Sequence, residues 1–407
     1  MKYVIIQGDG MGDMLKRPKA GPSALEAART PHFDRVASSG LFGLIHTIPD
    51  GLPPGSDVGN LALFGYDPRD FYTGRSPLEA AAMGVKLGPE DVAFRMNLVC
   101  LSGPPDAATM ADFAGGHIAS ADAAQLVAAL GASLANESFQ FYPGISYRHL
   151  MVWRKGLQAM TCTPPHDLSD KAIAPYWPKG PGAEQLRQIM EASRAVLARH
   201  PVNLARVQAG QPAISQVWLW GQGQAPSLPS FASRYGLKGA CITEVDLVRG
   251  IATYAGFTLI EVPGATGYLD TDYAAMGRYA LEGLAQADLM FVHIEAPDEA
   301  GHQGNYAEKV KAIEAIDGKI VGPLLAGLGR YGDFKFFIAS DHATPVHLKT
   351  HSSDPVPFAL ATGRQLTAGA SPSGGERVKF GERAAQASGV VIPDGFSIIR
   401  RLVAYPD

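Results

Sequence analysis

Three apolar runs, each broken off by an acid, constrain the fold of this chain most strongly. "YVIIQGD" ends at Asp9, "DLMFVHIEAPD" at Asp298, and "FKFFIASDH" at Asp341 and His342. Each run reads as a buried strand, and glycines after Asp9 let the chain turn. In a doubly wound sheet, a carboxylate at the C-terminal end of a strand faces the crevice where ligands bind. One such acid means little, because Asp after a strand is often a turn former or helix cap. Three of them converging on one sheet edge describe a site.

The spacing of the remaining elements fits the same architecture. The early part reads as strand 2–7, a helix around 22–39, strand 41–47 and a helix starting at Ser56. The late part alternates "ACIT", helix 244–255, "FTLIEV", helix 271–286, "DLMFVHI", helix 305–327, "FKFFIAS" and "VPFALA". That alternation predicts an α/β fold with a mostly parallel sheet sandwiched by helices. Between the two parts, "DVAFRMNLVCL", "SFQFYPG" and "SYRHLMVW" read as half-buried strands, with helical periodicity at 120–134 and 183–199. A chain of 407 residues exceeds what one core supports. The expected organisation is a discontinuous domain, 1–73 with 215–407, and a smaller α+β cap inserted at 74–214.

Composition excludes several classes. The net charge of −4, with both signs dispersed, gives no footprint for nucleic acid or an anionic membrane. No apolar run reaches the roughly 20 residues of a membrane span, and the N-terminus enters a strand without a charged-then-apolar leader. Cys100, Cys162 and Cys241 lie far apart without CxxC spacing, as reduced thiols of a cytoplasmic protein would. Oligomeric state cannot be read from composition.

Four clusters carry the candidate chemistry: Asp9; Ser56 in "PPGSDVGN"; Asp298 with His302 in "EAPDEAGH"; and Asp341, His342 and His351 in "IASDHATPVHLKTHSSDP". Asp298 and His302 are four residues apart, so one helical turn presents both to the same ion. Mixed carboxylate and imidazole donors suit Zn²⁺ or Mn²⁺ better than Ca²⁺. Ser56 opens a helix, where a serine is ordinarily a cap. The same position puts its hydroxyl at the positive end of a helix dipole, and a bound cation would make it nucleophilic near neutral pH. A serine nucleophile with donors for two divalent cations is the equipment of phosphoryl transfer.

The stretch "GLPPGSDVGNLALFGYDPRDFYTGRSPLEAAAMGV", with "DGMGD", "FRMNLV", "GGHI", "VWLWGQG" and "ASDHATP", resembles the archaeal-type cofactor-independent phosphoglycerate mutases of the alkaline phosphatase superfamily. The resemblance spans essentially the whole chain. It implies an alkaline-phosphatase-like fold and interconversion of 3-phosphoglycerate and 2-phosphoglycerate through a phosphorylated Ser56. It also implies one metal among Asp9, Ser56, Asp341 and His342, and another among Asp298, His302 and His351. The expected ions are two Mn²⁺, with Zn²⁺, Co²⁺ or Mg²⁺ as alternatives. It further implies a lysine near the phosphoryl group at Lys238. Gln7 departs from the small or apolar residue expected just before the acidic motif.

The cap is expected to recognise the rest of the substrate. Arg75, Arg95, His117, Arg148, His149, His166 and Lys238 are its candidate cationic or hydrogen-bonding groups, with Asp167 placed to orient His166. Arginine suits bidentate contact with carboxylate or phosphate. A closing cap would keep water from the phosphoserine. Two alternatives share this metal core: a homoserine kinase-like phosphotransferase, whose cap would need a carboxylate for the substrate ammonium, and a plain phosphomonoesterase. Glu79, Asp112, Glu137, Asp167 and Asp170 are the acids available for the first.

Overall fold

A computed structural model describes residues 1–15, 21–368 and 378–406. Its strands are β1 (Lys2–Gly8), β2 (Leu41–Ile45), β3 (Val92–Ser102), β4 (Thr109–Asp112), β5 (Phe139–Tyr142), β6 (Arg148–Trp153) and β7 (Gln216–Gln224). They continue with β8 (Gly239–Ile242), β9 (Thr258–Leu259), β10 (Leu289–Ile294), β11 (Phe334–Ala339), β12 (Val356–Thr362) and β13 (Val391–Ile392). The chain divides into two compact units, Met1–Tyr72 with Ser227–Asp407, and Thr73–Pro226. The second crossing falls at 226/227 instead of the expected 214/215 because β7 pairs antiparallel with β3 and so belongs to the inserted unit.

The larger unit is built on an eight-stranded sheet in the order β13-β2-β12-β11-β1-β10-β8-β9. Strands β11, β1, β10, β8 and β9 run parallel; β12 is antiparallel to both of its neighbours. Side chains alternate between faces, so each strand divides between two cores. Val4, Ile6, Met290, Val292, Phe336 and Ile338 share one core with the helices Pro31–Ser39, Tyr273–Gly283 and Tyr306–Ala315. On the other face Phe64, just past the helix Ser56–Leu63, stacks on Phe291 with ring centroids 4.2 Å apart. Burial on both faces explains why the central strands read as continuous apolar runs.

Two expected helices are interrupted, each at a proline. The one around 22–39 becomes Ala24–Ala27 and Pro31–Ser39. Ser23 and Glu26 form a reciprocal cap, and Pro31 starts the second piece. The one at 305–327 widens into a π turn over Ile316–Val321, just before Pro323, whose ring and missing N–H disfavour a regular turn.

In the inserted unit, β4, β3, β6, β5 and β7 form a five-stranded antiparallel sheet. The helices Ser120–Leu134 and Ala183–Ala198 contribute Leu126, Leu130, Leu186 and Met190 to the core that packs on it. The "VWLW" segment is core, with Trp218 fully buried. Among the described residues, no helix is long and apolar enough to cross a membrane.

Candidate metal centre

The parallel strands deliver their punctuating acids to one edge. Asp9 follows β1, Asp298 lies in the helix Ala296–His302 that follows β10, and Asp341 and His342 follow β11. Each is at most 3 % exposed. Gly10 permits the approach: its φ of +55° is left-handed, and a Cβ there would collide with the Asp298 carboxylate and the Thr344 hydroxyl. Gly59 lets the helix Ser56–Leu63 lie against the β11 loop, since a Cβ would meet the Asp341 carbonyl at 2.5 Å. Both Asp341 oxygens are held. Oδ1 accepts from the Gly10 N–H at 3.1 Å, and Oδ2 from the Asn60 amide at 3.1 Å.

All seven sequence-predicted ligands meet. His342 Nε2 lies 3.2 Å from Asp341 Oδ2, 3.4 Å from Asp9 Oδ1 and 3.3 Å from Ser56 Oγ. Beside it, Asp298 reaches His302 Nε2 at 3.1 Å and His351 Nε2 at 3.6 Å. Those two imidazole nitrogens are 2.9 Å apart. The His342 and His351 rings, with centroids 4.1 Å apart, join the two groups. The expected capping role of Ser56 is not the one observed. Gly55 is the N-cap of its helix and Ser56 makes no capping bond, so its hydroxyl is directed to His342.

The electrostatics favour a cation. Burial and repulsion from Asp298 raise Asp9 to about 7, and burial with repulsion from Asp9 pushes Asp341 well above the carboxylate range. Burial also works against Asp298, but hydrogen bonds from His302 and His351 outweigh it and hold that carboxyl low. The Asp298 hydrogen bond lifts His302 to about 9, while burial drops His342 to about 3. Carboxylates this crowded cannot all be ionised without added positive charge. Asp9 Oδ1 is buried with no hydrogen-bond partner, and three imidazole nitrogens converge on carboxylate oxygens. The donor set therefore fits divalent cations.

Comparison with known proteins agrees with this geometry. Residues 37–203 match the family described as 2,3-bisphosphoglycerate-independent phosphoglycerate mutase. A probable enzyme of that name from Geobacter sulfurreducens is 48% identical, covering 99% of this chain and 100% of its own. One from Methanothrix thermoacetophila is 45% identical over 99% and 100%. The chain belongs to this family. Among solved structures, a Pyrococcus horikoshii protein superposes with a TM-score of 0.79 at 28% identity, covering 99% of this chain and 96% of its own. A cofactor-independent phosphoglycerate mutase from Thermoplasma acidophilum gives 0.66 at 25% identity, covering 99% and 98%.

For the family's phosphoryl chemistry, the expectation at Lys238 is corrected. Lys238 precedes β8, its carbonyl accepting from the Asp288 and Leu289 N–H groups where β10 begins. It stands at the N-terminal end of parallel strands whose C-terminal ends carry the cluster. One strand length separates it from Asp9.

Within the inserted unit, Arg75, Arg95, Arg148 and His166 lie close enough to interact electrostatically. Arg95 is 9 % exposed, stacks 4.4 Å from the Trp220 ring centre and pairs with Glu79 at 3.1 Å. His166 packs edge-on to Trp220, and His117 and Arg148 both neighbour the Tyr147 ring. Asp167 is largely exposed and 3.9 Å from His166, too far for a direct hydrogen bond. His149 is instead structural: it is 3 % exposed, and its Nδ1 accepts from the Gly144 N–H at 2.9 Å.

Three residues around the centre escaped the sequence reading. His293 Nε2 is 2.8 Å from Asp9 Oδ2, and Glu295 Oε2 is 3.5 Å from His293 Nε2. Their period-2 spacing on a strand that leads to an acid was the available signal. Lys309, fully buried, donates to the carbonyls of Gly10 at 2.7 Å, Gly12 at 3.2 Å and Thr344 at 2.7 Å. It ties together the loops that carry Asp9 and His342. Nothing in "YAEKVKAIEA" distinguishes it from a surface lysine.

Proposed function

We propose that this chain interconverts 3-phosphoglycerate and 2-phosphoglycerate through a phosphoryl group carried on Ser56, in a centre that holds two divalent cations. The carrying observation is the Ser56 hydroxyl, released from capping and 3.3 Å from His342 Nε2, which also neighbours Asp9 and Asp341. Asp9, Ser56, Asp341 and His342 would hold one ion, and Asp298, His302 and His351 the other. Mn²⁺ suits this donor mixture, with Zn²⁺, Co²⁺ and Mg²⁺ as alternatives. When bound, the ions supply Lewis-acid stabilisation of phosphoryl charge and make a serine oxygen nucleophilic near neutral pH.

The chain's own groups supply the rest. Ser56 Oγ forms a bond to phosphorus as the bond to the 3-oxygen breaks, and the serine proton ends on the released glycerate hydroxyl. The glycerate 2-hydroxyl then takes the phosphoryl group, and its proton returns to Ser56. The N-terminal end of the helix Ser56–Leu63 favours negative charge developing there. Asn60 and the Gly10 N–H keep Asp341 aimed. The cationic group Arg75, Arg95, Arg148, His117 and His166 would recognise the anionic glycerate, since guanidinium forks match a carboxylate.

The homoserine alternative needs a carboxylate available for ammonium. Glu79 is engaged by Arg95, and Asp112 accepts the Ala114 and Gly116 N–H groups. Glu137, Asp167 and Asp170 are exposed, so the acids alone do not decide between the two; the relatives named as phosphoglycerate mutases favour the mutase reading. A cytoplasmic setting is consistent with three cysteines in thiol form. The test is phosphorus NMR of Mn²⁺-loaded protein with 3-phosphoglycerate and no bisphosphoglycerate. Growth of the 2-phosphoglycerate resonance to equilibrium supports the reading; release of inorganic phosphate alone would replace it with a phosphatase.

A further inference from the structure

The cationic group that would recognise glycerate rests on two supports in the inserted unit, and one buried amide joins them. Building on that reading of the group, we infer that Asn97 is a positioning residue for the reaction. It fixes both the ring under Arg95 and His166 and the turn that carries His117.

Strand register puts Asn97 behind the group. In β3, Arg95 and Asn97 alternate away from Phe94, Met96 and Leu98, which belong to the core. Trp220 of β7 is the cross-strand partner of Arg95, which makes Asn97 its diagonal neighbour. Asn97 is buried, and both ends of its amide are used. Its Oδ1 accepts from the Trp220 indole N–H at 3.0 Å, and its Nδ2 donates to the Phe113 carbonyl at 3.1 Å. An indole nitrogen can only donate and a carbonyl can only accept, so the amide has one orientation. Trp220 is the ring on which Arg95 stacks and against which His166 packs edge-on.

Phe113 opens the turn that ends at His117, and that turn is held from outside at four successive residues. Asn97 takes the Phe113 carbonyl, the Asp112 carboxylate accepts the Ala114 and Gly116 N–H groups at 2.7 Å each, and buried Arg206 donates to the Gly115 carbonyl at 2.9 Å. Gly115, Gly116 and His117 are all left-handed, with φ of +57°, +63° and +50°. For a histidine that backbone is unfavourable, and it persists only where the surroundings over-determine it. The clamp holds the His117 imidazole edge-on to Tyr147, with ring centroids 5.8 Å apart. The Phe113 ring in turn meets His166 edge-on at 6.1 Å, so the two supports touch as well as sharing Asn97. Asparagine is a poor strand former, and packing alone would favour an apolar residue at a buried strand position. What the amide adds is direction. Recognition groups fixed before the substrate arrives spend less binding energy on being ordered.

The test measures binding apart from turnover. Full-length, Mn²⁺-loaded Ser56→Ala protein is titrated calorimetrically with 3-phosphoglycerate, with and without Asn97→Leu, which keeps the branching of the side chain and removes both hydrogen bonds. Asn97→Leu should weaken binding by about 10-fold or more while the count of bound Mn²⁺ stays the same. With Ser56 restored, it should raise KM by a similar factor and change kcat less. Trp220→Phe keeps an aromatic ring under Arg95 and removes only the indole donor. It should weaken binding in the same direction and add less than its own effect to Asn97→Leu, because the two share one bond. Unchanged affinity in folded Asn97→Leu or in Trp220→Phe overturns the positioning role, as does full additivity of the two. Should Asn97→Leu fail to fold, Trp220→Phe decides alone. A parent protein that binds no 3-phosphoglycerate overturns the glycerate reading together with this one.

Discussion

Replacing Lys309 by Met tests whether the metal loops are held from beneath. The substitution keeps length and apolar bulk but removes the ammonium from the carbonyls of Gly10, Gly12 and Thr344. Gly12 keeps the Thr344 N–H at 3.3 Å, so two acceptors are stranded, at about 1–3 kcal/mol each. Burial lowers Lys309 from 10.5 to about 8, and that penalty, about 3 kcal/mol, is returned when the charge is deleted. The two effects nearly cancel, leaving a net change between a gain of about 1 kcal/mol and a loss of about 3 kcal/mol. The loops bearing Asp9 and Thr344 nevertheless lose their common tie, and support of this kind is worth about 10–100-fold in metal affinity. Calorimetric Mn²⁺ titration and urea denaturation of the metal-free protein measure the two separately. A Lys309→Met protein with unchanged Mn²⁺ affinity would refute the reasoning, as would one that loses 5 kcal/mol or more with its affinity intact.

Further outcomes follow from other contacts. Ser56→Ala should retain both proposed ions by mass spectrometric metal analysis and abolish mutase turnover; substantial residual turnover in the metal-replete protein removes Ser56 as nucleophile. Gly59→Ala drives a methyl into the Asp341 carbonyl and should cost about 1–3 kcal/mol in denaturation while weakening metal binding. His149 has its folded value lowered by burial from 6.5 to about 4. The unfolded chain therefore takes up the proton first, and stability is lost as pH falls from 6.5 toward 4, by up to about 3 kcal/mol. His149→Gln should flatten that acid slope in urea titrations at pH 7 and 4.5; an unchanged slope assigns it to another group.

The strand-then-acid pattern carried most of the site, because a parallel sheet aligns every C-terminal strand end on one edge. That rule located Asp9, Asp298, Asp341 and His342; the four-residue spacing from Asp298 brought His302, and the serine-led helix and the histidine cluster after Asp341 brought Ser56 and His351. The same rule, applied strictly, would have rejected Lys238, which stands before its strand and not after it. His293 and Glu295 were hidden because a lone polar residue in an apolar run reads as a satisfied core group. Only register shows that Gln7, Asp9, His293 and Glu295 share a face. Lys309 was illegible for a different reason: amphipathic helices carry many lysines, and which one turns inward depends on tertiary packing. The inserted unit ran longer than expected because strand pairing between β3 and β7, 92–102 with 216–224, is invisible to local pattern. The antiparallel direction of β12, whose segment "VPFALA" did read as a strand, and the short β13 edge were lost in the same way.

The central claim is a phosphoryl group carried by one serine inside the cation pocket. Mn²⁺-loaded protein mixed with 3-phosphoglycerate, quenched in acid within milliseconds and digested, permits a direct look by peptide mass spectrometry. The account predicts one added phosphoryl mass on the peptide containing Ser56, appearing before 2-phosphoglycerate accumulates and absent from the Ser56→Ala protein. Turnover with that peptide unmodified at every time point, or with the label on another residue, would contradict it.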